Sequence, residues 1–167
     1  MTGPNKPKDY LHQGRHDRFI KEWVHDPYKS KSKLPEPTAC PACHAVYHKG
    51  RWQWLDTPPD AQEQLCPACL RVRDGIPAGF LDITGDFLKS HREEILNLIH
   101  NTEAQEKKER PLERIMALEE TEGKLHLSLT SPHITRGLGE ALHHAYQGTL
   151  DFHYEEEDIL LRVHWSR

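Results

Sequence analysis

Apolar residues along this chain come in short groups separated by polar, proline-rich stretches, and each group has its own period. The first, Phe19, Ile20, Trp23 and Val24, fits two helical turns that stop at Asp26-Pro27. The KSKSKLPEP stretch that follows reads as a solvated linker. Val46, Tyr47, Trp52 and Trp54 then alternate about Lys49-Gly50, as the arms of a β-hairpin do. Trp52 and Trp54 share strand parity, so one face of that strand carries both indoles.

Residues 84–110 read as helical, with Thr84 or Asp86 as cap. Phe87, His91, Ile95 and Leu98 form one stripe, which Leu88, Leu96 and Ile99 widen. From Glu103 to Arg110 nearly every residue is charged, the pattern of a solvated face or hinge, and Pro111 ends the helix. Beyond it, Leu112–Glu120 and Leu125–Thr130 suit two strands joined across Glu122-Gly123. Ser131-Pro132 is a helix start, with serine as N-cap. Ile134, Leu138, Ala141, Leu142 and Ala145 give that helix its buried stripe, and Gly148 follows its end. Two more alternating strands close the chain, Leu150, Phe152 and Tyr154 in one, Ile159, Leu161, Val163 and Trp165 in the other. A turn at Glu155 to Asp158 sets Tyr154 opposite Ile159 and Asp151 opposite Arg162. The pattern is a ββαββ unit with its helix on one face of the sheet.

All four cysteines lie in two copies of CPAC, as Cys40, Cys43, Cys66 and Cys69. Four thiolates at about 2.3 Å fill the coordination shell of Zn²⁺ and leave no open position, which marks a structural site. The 22 residues from His44 to Leu65 slightly exceed the usual gap of about 15–20. A thioredoxin-type dithiol occurs once, whereas here the motif repeats, which a shared ion explains better. Iron takes the same S₄ ligands. In iron sites, however, a glycine usually follows the second cysteine, and here His44 and Leu70 do. The reading is therefore a Cys₄ zinc module, with iron as the alternative.

Composition changes this picture in two ways. Only 36% of the 167 residues are apolar against 29% charged, so one continuous core is not expected, and a metal helps a small module fold. The net charge of −4 is unevenly spread, at +3 for residues 1–39, −2 for 40–100 and −5 for 101–167. A polyanion would thus meet the front of the chain. No apolar run approaches the ~20 residues of a membrane span, and no secretory leader is evident. The expected location is the cytoplasm.

Two features suit nucleic acid, each with a plainer reading. The arm is either disordered when free or a basic segment that orders on RNA through Lys29, Lys31, Lys33 and Tyr28. Trp52 and Trp54 are either the core of the metal module or a base-stacking platform flanked by Lys49 and Arg51. Among the thirteen histidines, His126, His153 and His164 fall with Arg162 on the sheet face away from the helix, where alternation puts polar residues. His143 and His144 point about 100° apart on a helix and cannot chelate together. No HExxH, phosphate-binding glycine loop or GxSxG motif occurs, and the expectation is a protein that is not an enzyme.

The stretch CPACLRVRDGIPAG, Cys66 to Gly79, resembles the cysteine-rich N-terminal region of the eukaryotic and archaeal large-ribosomal-subunit export adaptor. That adaptor carries more CxxC pairs than the two found here. Over nearly its whole length the chain is similar to an uncharacterised bacterial group of double-CPxC zinc-ribbon proteins. That pattern runs CPxC…GRWxW…CPAC, PAG, a helix and a tail ending in LRVHW. The resemblance implies a zinc-bearing protein that docks on the ribosome or ribosomal RNA. It makes Arg71 and Arg73 RNA-contact candidates, against local pairing with Asp74 or Asp82. A stress or hibernation factor is one version. The alternative is an interaction adaptor whose protein partner meets the ββαββ sheet. The expected architecture is α+β, with a flexible basic arm (1–39), a Cys₄ zinc module (40–82), a helical connector (83–110) and a ββαββ domain (111–167).

Overall fold

The computed structural model describes residues 26–28, 33–155 and 160–167. The Phe19–Val24 cluster, Lys29, Lys31, Ile159 and residues 156–158 of the expected turn lie outside the described residues. The architecture is α+β. A small sheet holds β1 (Thr38–Ala39), β2 (Val46–His48), β3 (Arg51–Gln53) and β4 (Gln62–Glu63) in the order β3-β2-β1-β4. Helix α1 (Pro67–Asp74) follows it. The larger sheet contains β5 (Gly79–Thr84), β6 (Ile115–Thr121), β7 (Lys124–Leu129), β8 (Thr149–Glu155) and β9 (Leu160–Ser166), ordered β6-β7-β5-β9-β8. Helices α2 (Asp86–Ser90), α3 (Arg92–Glu109) and α4 (Pro132–Tyr146) complete the fold. No helix among the described residues is long and apolar enough to cross a membrane.

The first hairpin forms where the alternation places it, with Tyr47 opposite Trp52 and His48 opposite Arg51. Its two-residue turn needs positive φ at both positions, and Lys49 (51°) and Gly50 (77°) supply it. The Glu36 carboxylate caps this turn, accepting from the Lys49 and Gly50 amides at 3.1 and 2.9 Å. Strand β3 ends at Gln53, so Trp54 lies beyond the ladder.

The ββαββ elements all form, but their two hairpins do not touch. Strand β5 sits between them, antiparallel to β7 and parallel to β9. Leu81 and Ile83 of β5 face the core, while Phe80 and Asp82 face the opposite way. Residues 79–82, in the span assigned to the metal module, are thus the centre of the second sheet. One face of that sheet presents Leu81, Ile83, Leu125, Leu127, Leu129, Leu161, Val163 and Trp165. Against it pack Ile134, Leu138 and Leu142 of α4, Ile95 and Ile99 of α3, and Leu88 of α2. The Trp165 indole, fully buried, donates to the Gln147 carbonyl at 2.7 Å, so its polar atom is not left unpaired.

Two local expectations are corrected. Residues 84–110 are not one helix: Thr84 ends β5, and His91 (φ −126°) separates α2 from α3. There the Ser90 hydroxyl also bonds the Asp86 and Phe87 carbonyls, while the His91 amide keeps its bond to the Phe87 carbonyl at 2.9 Å. In the last hairpin Asp151 faces His164, and it is His153 that faces Arg162. Moving the turn one residue along the chain, so that Glu155 pairs with Leu160, shifts the register by two. Every side chain keeps its face, because side chains repeat every two residues along a strand.

Close packing of α4 on β5 depends on Gly79, where a Cβ would lie 1.9 Å from Thr135 Oγ1 and 2.8 Å from Thr135 Cβ. Gly79→Ala is therefore expected to lower stability by about 1–3 kcal/mol, as overpacked cores do. Urea denaturation followed by tryptophan fluorescence measures this; an unchanged midpoint would contradict the packing.

Candidate metal centre and the adjoining groove

The two CPAC copies converge but are not conformational equivalents. In the first, the chain turns back on itself between β1 and β2, with the His44 amide donating to the Cys40 carbonyl (2.9 Å) and the Cys40 amide to the Ala45 carbonyl (2.8 Å). His44 takes φ 68°, a conformation glycine adopts most cheaply. The turn is thus made without the glycine typical of iron sites, and the residue type there does not discriminate between metals. The second copy opens α1: Cys66 is the N-cap, its sulfur accepts from the Cys69 amide at 3.4 Å, and Pro67 stands at the first helical position. The positive end of that helix therefore faces the sulfurs and favours their thiolate form.

The four Sγ atoms lie within 4.8 Å of one another, and none forms a disulfide. Four sulfurs each about 2.3 Å from one ion stand about 3.8 Å apart in a tetrahedron. Cys43 Sγ and Cys66 Sγ are 3.8 Å apart, so the donor set fits one tetrahedral thiophilic ion. Cys40 and Cys66 are buried. Burial pushes the Cys66 thiol up strongly. It also raises Cys69, with the Arg114 hydrogen bond pulling the other way. For Cys40, burial is outweighed by backbone amides of Cys66, Cys43 and Ala42, which lower it to about 7. Four adjacent thiolates repel one another, and a divalent cation relieves that repulsion.

A residue outside the cysteine motifs completes the centre. Arg114, just before β6, donates to Cys69 Sγ at 3.2 Å and lies 3.7 Å from Cys66 Sγ. Its Nε–H donates to the Pro111 carbonyl at 2.8 Å, and its amide to Thr130 Oγ1 at 2.9 Å. Burial disfavours its charge, but the bonds to Cys69 and Cys43 raise its pKa further. Four thiolates around a divalent ion would leave a net −2 charge, and the guanidinium stands where it would offset part of it. Nothing in the sequence singles out this arginine, 45 residues from Cys69.

Other candidate residues separate into distinct groups. Trp52 packs on Cys40, Cys66 and Ala68, with the Tyr47 ring centroid 5.6 Å away. Trp54 is 39% exposed, and its indole donates to the Lys107 carbonyl at 2.7 Å. Lys49 and Arg51 are exposed on the hairpin, and Lys33 is near enough to help hold Glu36 below the usual carboxylate range, after the Gly50 amide. Arg71 is turned inward, 5% exposed, donating to Asp26 Oδ1 at 2.8 Å and to the Ile76 carbonyl at 3.0 Å beneath the Tyr28 ring. Its partner is Asp26 rather than Asp74 or Asp82, and it does not face solvent. Arg73 is exposed and pairs with Asp74 at 2.8 Å. Asp82 instead binds Lys124 and His126.

Between the metal module and the end of α3 runs a groove of about 740 Å³. Tyr47, Trp52, Trp54 and Arg51 line one side, and Lys108 and Arg110 the other. Asp26, Glu109 and Glu113 also border it. Lys108 and Arg110 belong to a charged run whose sequence reads as a solvated face or hinge. Comparisons with protein-family models, curated proteins and solved structures find no match to this chain.

Two outcomes are expected. Metal binding must displace protons from Cys66 and Cys69, so affinity rises with pH between about pH 6 and 8; competition with a chromogenic chelator measures it, and a flat profile would contradict a thiolate site. Arg114→Gln is expected to weaken metal binding about 10- to 100-fold, the usual effect of losing a partner to metal ligands, in the same competition assay.

Proposed function

We propose that this protein is a zinc-bearing docking protein without catalytic activity, and that it binds structured RNA, with ribosomal RNA as its expected partner. The observation that carries this reading is the groove beside the cysteine cluster, where exposed Trp54 stands with Arg51, Lys108 and Arg110. An aromatic face beside cations is what an unpaired base and its phosphate require. The cysteine cluster and Arg114 hold the hairpin and α1 in place, so the groove is preformed and less ordering entropy is lost on binding. Zinc is the resident ion of this reading, in a structural rather than reactive role, since four thiolates close its coordination shell; iron, which takes the same ligands, is the alternative. The resemblance of Cys66–Gly79 to the ribosomal export adaptor points to the same partner. With Arg71 buried, the phosphate contacts fall to Lys33, Lys49, Arg51 and Arg73, and to Lys108 and Arg110.

A second reading has its own support. Val72 and Ile76 are 51% and 50% exposed, beside a shallow groove of about 390 Å³ lined by Val72, Phe80 and Met116. An adaptor would present this apolar ground to a protein, together with Arg162 and His153 on the outer face of the sheet.

Ribosome co-sedimentation separates the two. RNA docking is expected to weaken steeply between about 50 and 200 mM salt. Trp54→Ala should reduce it about 5- to 100-fold, the worth of one stacked base, and Arg51→Gln should lower the salt slope by about one. Protein that stays at the top of the gradient at every salt concentration overturns the RNA reading and favours the adaptor.

A further inference from the structure

The larger sheet has two edge strands, and they are built differently. Strand β6 is blunted: a bulge interrupts it between Ile115 and Ala117, and Glu120 is tied to Arg92 of α3 at 2.7 Å. Bulges and edge charges of this kind discourage further strand pairing. Strand β8 has no bulge; it does carry Asp151 and Glu155, the latter paired with Arg162 of its own β9 at 2.6 Å. Its seven residues pair with β9 in unbroken register, and it contains no proline and no lysine. Among the described residues, no strand pairs with its outer side. Leu150, Phe152 and Tyr154 share the helix-facing side, opposite Trp165, Val163 and Leu161, and Phe152 is 39% exposed.

We propose that this edge joins two copies of the chain, β8 against β8, antiparallel about a twofold axis through Phe152. The strand is self-complementary in that register and uses all of its residues. On the open face, Asp151 of each copy meets His153 of the other, and Thr149 meets Glu155. On the helix face, Leu150 meets Tyr154, and Phe152 meets its own symmetry mate. Opposite polar partners and apolar pairs directly across a ladder both favour pairing. Neighbouring registers are worse. An axis through Asp151 sets that carboxylate against itself, and one through His153 sets Asp151 against Glu155 twice. A slip that breaks the two-residue period sets apolar side chains against polar ones. The product is one continuous ten-stranded sheet with α4 of both copies on the same face, an isologous contact of the kind closed dimers use.

Sedimentation velocity of the full chain from roughly 1 to 100 µM tests this, and a concentration-dependent dimer is expected. His153→Asp sets carboxylate against carboxylate at both symmetry-related positions, yet faces Arg162 within its own chain, so the fold is retained. It should weaken the dimer about tenfold or more. Adding Asp151→His to it recreates the pair in reverse and should restore dimerisation. Phe152→Lys, which puts two like charges at the axis, should give a monomer on its own. The proposal is overturned by a monomeric parent protein across the range, or by a dimer that persists in His153→Asp or Phe152→Lys. A weakened dimer that the double exchange does not restore overturns it as well.

Discussion

Four sulfurs within 4.8 Å of one another cannot all be thiolates without a cation among them, and much of the front half of the chain hangs on that constraint. The small sheet is made of strands of two or three residues, far too short to hold a fold by their own ladders. Its buried cluster is little more than Cys40, Cys66 and Ala68, with Trp52, Leu65 and Leu112 against it. Apolar burial of that extent cannot offset the entropy of ordering the module. A metal ion held by the four sulfurs would supply what the core lacks.

The centre also reaches beyond its own module. Arg114 holds Cys69 Sγ with its side chain while its backbone pairs with Thr130 at the edge of the larger sheet. Leu112 packs on the cysteine cluster, and Trp54 reaches across to Lys107 on α3. Strand β5 begins four residues after Gly75, the left-handed residue that ends α1, and runs directly into the middle of the second sheet. The groove with its aromatic and cationic lining exists only where these two parts meet. Its shape therefore depends on the metal module and the sheet together.

Much of this was legible in local pattern. CPAC twice declares four sulfur ligands; Lys49-Gly50 declares a tight hairpin turn; Ser131-Pro132 and the Ile134–Leu138–Leu142 spacing declare α4. Each rests on an interaction within a few residues, which sequence spacing reports directly. Strand β5 was not legible: residues 79–82 read as part of the metal module and Thr84 as a helix cap, since the strand's partners β7 and β9 lie about 45 and 80 residues further along. The break at His91 is a local backbone departure (φ −126°) across which the i→i+4 bonds persist, an effect no periodicity records.

By itself, then, the sequence determined the four cysteines as one candidate ligand set, the elements of the ββαββ unit and the face to which each of their side chains points, because periods of two and about 3.6 are properties of the local backbone. Only the tertiary structure decided which arginine serves which partner. Arg71 and Arg73 stand two residues apart in one motif, yet one is buried against Asp26 and the other faces solvent. Arg114, with no motif around it, lies against the metal ligands. A guanidinium at the end of a long side chain is placed by whatever carboxylate, carbonyl or sulfur the folded chain brings within reach, and that proximity is not written in the spacing of neighbouring residues.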